Sequence, residues 1–99
     1  MRNILSPESR RVIGEEAKQL LQNKHFKEAI SAVEGHLVEQ AKHCDPDNKE
    51  KAQRVVIAMQ IMEGIKREIV RKIEDGEMAQ VELSEIEQRK SLGIRRLVR

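Results

Sequence analysis

His36, Glu39 and His43 stand three and four residues apart, so one helical face presents two imidazoles and a carboxylate, with Cys44 and Asp45 directly after them. Imidazole nitrogen, thiolate and carboxylate all suit zinc. A histidine near a helix C-terminus also complements the helix dipole on an ordinary solvated face, and that plainer reading is the one adopted: no metal and no cofactor are expected. Cys44 and His43 do not make a nucleophile and base, because adjacent helical residues point about 100° apart. Asp45-Pro46-Asp47-Asn48-Lys49-Glu50 begins like a calcium loop, but Glu50 replaces the glycine of the sharp turn and the bidentate acid is missing. No phosphate-binding glycine loop, no G-x-S-x-G and no H-E-x-x-H occurs. A non-enzymatic protein is expected.

The elements that carry these residues are helical. Of the 99 residues 36% are charged and 38% hydrophobic, with Phe26 the one aromatic, and there is neither Trp nor Tyr; this is the composition of long helices and coiled coils and argues against a β-sandwich or barrel. Ser6-Pro7 opens a first helix with Val12, Ile13, Ala17, Leu20 and Leu21 at helical spacing. The phase shifts near Asn23, which can cap a second helix striped by Phe26, Ala29, Ile30, Val33, Leu37 and Ala41. Asp45-Pro46-Asp47 predicts a reversal, with Asp45 capping a long third helix through Ala52, Val55, Val56, Met59, Met62, Ile65, Ile69 and Ile73 to Gly76, a natural C-terminal cap. Ser84 and Glu87 form a capping box for a short fourth helix ending near Gly93, and the last residues predict no firm structure.

A reversal at residues 44–46 makes antiparallel partners sum to about 90. Leu37 is then set near Ala52, Val33 near Val56, Ile30 near Met59, Ala17 near Ile73, and Phe26 against Gly64, where a missing side chain makes room for the ring. The expected fold is all-α: an antiparallel hairpin of two shorter helices against one long helix over residues 1–76, followed by a charged segment over 77–99.

That segment holds four acids and no base in 77–88, then five bases and no acid in 89–99, within a net charge of +2. Arg89, Lys90, Arg95, Arg96 and Arg99 can neutralise phosphates or meet an acidic partner, including residues 77–88 of a neighbouring copy. The apolar surface is wider than one seam needs. Val38, Ala58, Ile61 and Val70 fall off the main stripe, and Leu92, Ile94, Leu97 and Val98 line the tail, so these eight are the expected partner-binding residues. A homo-oligomer that also binds a larger protein is expected; nucleic acid is the alternative. No stretch has the roughly 18 apolar residues of a membrane span, the N-terminus has no apolar signal run, and the lone Cys44 fits a reducing compartment, so a cytosolic location is expected, with incorporation into a virion on the resemblance below.

Ala17-x-x-Leu20-Leu21 with Phe26-x-x-Ala29-Ile30 is similar to one tetratricopeptide helix pair, but a single copy cannot form such an array. Over most of the chain, the short first helix, the Leu20-Leu21-x-x-x-x-Phe26-x-x-Ala29-Ile30 pattern, the polar loop with Asp45 and the long charged helix to Gly76 resemble the small helical proteins encoded among the head and packaging genes of tailed bacteriophages. The resemblance implies a structural role in virion assembly and transfers no residue role. Three function classes follow: an assembly protein, a nucleic-acid-binding regulator or packaging subunit, and an inhibitor of a defence protein.

Overall fold

A computed structural model describes the chain over residues 5–97, and its side chains over residues 5–93. The described residues form three helices: α1 (Pro7–Gln22), α2 (Lys24–Lys42) and α3 (Lys49–Leu97). There is no strand among the described residues. The all-α architecture of two shorter helices against one long helix is as expected.

Local chemistry explains each boundary. The Ser6 hydroxyl accepts from the Ser9 amide at 3.2 Å, and Pro7 takes the first helical position, where no amide hydrogen is needed. Asn23 alone separates α1 from α2. Its backbone is extended (φ −67°, ψ 124°), and its side-chain oxygen accepts from the Phe26 amide at 2.9 Å, as expected of a cap. At the other end of α2, the His43 amide donates to the Glu39 carbonyl at 3.1 Å.

The start of α3 differs from the expectation. Asp45 accepts from the Asp47 amide at 2.9 Å, closing a turn around Pro46 in the manner of Asx residues. Asn48 caps the helix instead, accepting from the Lys51 amide at 3.2 Å. Asp45 is therefore a turn former, and the long helix begins three residues later than its proline suggests.

Two units divide the chain, one formed by Met1–Lys18 with Val70–Arg99 and the other by Gln19–Ile69. In the second unit α2 lies antiparallel to the first part of α3. Lys66 meets Glu34 at 3.3 Å, and Leu37 and Val38 share a groove with Met59 and Met62, so partners sum to about 97 and not about 90. The loop over residues 43–48 stays centred between residues 45 and 46, so the shift comes from a slide of α2 along α3 and not from a displaced reversal. The expected seam is corrected accordingly. Val33, Val56, Met59 and Ile65 are exposed, and a Cβ at Gly64 would meet nothing within 4 Å, so Phe26 does not fill that space. Val55 is the one buried apolar residue among those described in this unit.

In the first unit the start of α1 crosses the last part of α3 at two glycines. A Cβ on Gly14 would stand 2.7 Å from the Gly76 Cα and 2.8 Å from the Lys72 carbonyl oxygen; one on Gly76 would stand 2.8 Å from the Gly14 Cα. No side chain fits between these backbones. Ala17 and Ala79, each three residues beyond a glycine, are buried beside the crossing, Ala79 completely. Partners here sum to about 90, as expected for Ala17 and Ile73, but Gly76 is no helix end. α3 runs through it to Leu97, and the expected fourth helix does not exist: Ser84 lies inside α3, its hydroxyl donating to the Gln80 carbonyl at 3.0 Å. Residues 94–97, expected to have no firm structure, are helical.

The two kinds of glycine should behave oppositely. Gly64→Ala should stabilise the chain by about 1 kcal/mol, the helix propensity difference with an open site. Gly14→Ala and Gly76→Ala should each destabilise it by about 1–3 kcal/mol through overpacking. Chemical denaturation of the three variants tests this, and a Gly14→Ala chain as stable as wild type would refute the close crossing.

Candidate interaction surface

Two arrangements of side chains stand out, one that holds the first unit together and one that is left uncovered. Arg10, on the second turn of α1, reaches two acids of α3. Its Nη2 donates to Asp75 at 2.8 Å and its Nε at 3.1 Å, the forked geometry that suits a guanidinium to a carboxylate. Its Nη1 donates to Glu82 at 2.9 Å. The Arg10 side chain is only 11% exposed, against 38% and 43% for its partners. The hydrogen bonds to Asp75, then those to Glu82, raise the guanidinium pKa above its ordinary value against the opposing cost of partial burial. Asp75 and Glu82 are seven residues apart, two helical turns, so they lie on one side of α3 and close on Arg10 from both directions.

This clamp escaped sequence reasoning, which had no way to choose Arg10 among 19 basic residues. A signal for the crossing was present: Gly14-x-x-Ala17 and Gly76-x-x-Ala79 repeat one pattern of small residues, at positions summing to about 90 and 96.

The imidazoles, carboxylate and thiol around the end of α2, read from the sequence as a solvated polar face, make a smaller arrangement. Nε2 of His43 lies 3.3 Å from Glu39, the Cys44 thiol faces the Asp45 carbonyl at 3.7 Å, and His36 is exposed. Among the described residues no group of three or more His, Cys, Asp or Glu side chains could hold a metal ion.

The expected partner-binding residues fall in both units. In the second, Val38 and Ile61 are exposed, Ile61 at 59%, while Ala58 is half-buried. Val38 also borders a shallow groove lined by Glu34, Leu37, Met59, Met62 and Glu63. Ala52, Gln53, Val56, Ile57 and Gln60 line a more open surface along α3. In the first unit Val70 and Leu92 are exposed, and Met78, Val81 and Ile86, which sequence reasoning did not single out, are exposed with them. Arg89 and Lys90 are exposed on α3. Ile94, Arg95, Arg96 and Leu97 belong to the α3 backbone, but their side chains, and all of Val98 and Arg99, lie outside the described residues.

No helix among the described residues is long and apolar enough to cross a membrane. No protein-family model, no curated protein and no solved structure matches this chain.

The clamp should contribute more than a surface ion pair. Glu50 and Arg54 also meet, at 2.6 Å, but both side chains are more than three-quarters exposed, and such pairs contribute little. A double-mutant cycle on Arg10→Met and Asp75→Asn should give a larger coupling than one on Glu50→Gln and Arg54→Met, and equal couplings would contradict the clamp. Because the folded pKa of Arg10 is raised, its contribution is complete below the ordinary arginine range and is lost only as pH rises beyond it. The stability difference between wild type and Arg10→Met should therefore stay constant from neutral pH to about pH 10.

Proposed function

We propose that this chain is a non-enzymatic structural or assembly protein that binds copies of itself and a larger protein through apolar helix faces and its C-terminal segment. Its resemblance to small helical proteins of bacteriophage head and packaging genes makes assembly of a phage particle the setting of this proposal.

One observation carries the reading. The buried apolar residues among those described are Ala17, Val55 and Ala79, two of them alanines, whereas Ile57, Ile61, Met78, Val81 and Leu92 are each more than half exposed. At about 25 cal/mol per Å², covering such side chains is the main stabilisation available to a chain with so thin a core.

The competing reading, a nucleic-acid binder using Arg89, Lys90, Arg95, Arg96 and Arg99, differs in its response to salt. Phosphate contacts lose affinity steeply as salt rises, whereas an apolar interface changes little.

Removal of residues 89–99 tests the proposal. A cut at Gly76 would also remove Ala79 and Glu82 and so dismantle the crossing, but a cut after Gln88 keeps both. The shortened chain should retain the helicity of its remaining residues and lose binding to the larger partner recovered with the full chain from its native source. Undiminished binding would sink the role given to the C-terminal segment. Light scattering on the full chain should show an oligomer, and a monomer at all accessible concentrations would overturn the assembly reading.

A further inference from the structure

α3 has two sides over residues 75–92. Gly76, Ala79 and Leu83, spaced three and four apart, form the side turned to α1, where Gly76 and Ala79 are buried. Met78, Val81, Glu85, Arg89 and Leu92 follow the same helical spacing on the opposite side, and all five are exposed. Met78, Val81 and Leu92 reach 64%, 58% and 55% exposure. This stripe is apolar at both ends and charged in the middle, with an acid preceding a base.

We propose that this stripe pairs antiparallel with the same stripe of a second copy, about a two-fold axis between residues 86 and 87. The proposal rests on the self-association read above and names its interface. With the helices reversed, Val81 meets Leu92 of the second copy, Glu85 meets its Arg89, and two-fold symmetry repeats both contacts. Residues 80–84, with Glu82, then lie opposite residues 89–93 of the other chain, which begin with Arg89 and Lys90. Parallel pairing sets Glu85 on Glu85, Arg89 on Arg89, and acidic stretch on acidic stretch, at the cost of like-charge repulsion. The segregation of charge within one helix thus makes the segment complementary to itself in one direction only. The glycine crossing does not have to move, because Gly76 and Ala79 occupy the other side of α3.

Charge reversal and cross-linking in the full chain test the pairing. Glu85→Lys alone sets two cationic side chains against each other at both symmetry-related contacts, and Arg89→Glu alone sets two carboxylates against each other there. Each should weaken self-association on the order of tenfold by light scattering or sedimentation, with unchanged helicity by circular dichroism. The double variant, and an equimolar mixture of the two single variants, should restore it. Direction is read separately in a Cys44→Ser background, where mild oxidation of mixed Val81→Cys and Leu92→Cys chains should give mainly the mixed disulfide. A predominance of Val81→Cys homodisulfide would show parallel pairing and overturn the proposal. Single reversals that leave a self-associating wild type unaffected would overturn this interface while the assembly reading stands; a monomeric wild type would end both.

Discussion

The contact between Gly14 and Gly76 constrains everything around it. A Cβ on either residue would lie under 3 Å from the other's backbone, closer than real side-chain atoms approach, so the two helices meet here only because both positions lack a side chain. Close backbones leave the flanking Ala17 and Ala79 buried and let one arginine of α1 reach acids two turns apart on α3. Glycine within a helix ordinarily weakens it. At this crossing that weakness is offset by packing and by the Arg10 hydrogen bonds, and α3 continues past Gly76 to Leu97.

A crossing built from small residues has a consequence for the rest of the chain. Alanines and glycines hold backbones together but remove little apolar area from water. The second unit does not make up the difference, because Phe26, Ile30, Leu37, Met62 and Ile69 are only half-buried there and Val33, Val38, Ile57 and Ile61 are exposed. A chain of this size has a marginal core at best. The uncovered isoleucines, valines and methionines are thus the physical reason to read the molecule as a component of something larger.

Charge arrangement gives that surface direction. Acids and bases alternate along much of the chain, but α3 changes sign near residue 88. Mixed charge keeps a surface soluble, whereas separated charge gives a helix segment a polarity that a partner can match or oppose. The apolar residues of the same segment supply contact area, and the charges select orientation.

The periodicity of apolar residues and the capping side chains were sufficient to establish an all-α chain, the start at Ser6-Pro7, the break at Asn23 and the antiparallel return after residue 45, because each depends on hydrogen bonds and spacing within a few residues. The surplus of apolar positions was legible too, since a helix covered on one side needs only one stripe. Tertiary structure decided the rest. Asp45 and Asn48 are both able cap residues, Asn48 is the one that caps α3, and the packing of α2 against α3 set their register. Gly76 reads as a helix end in isolation, but it lies inside α3 with Gly14 against it. Arg10 is one base among many until that approach brings Asp75 and Glu82 within reach. In each case the local sequence is compatible with more than one outcome, and contacts with residues distant along the chain select between them.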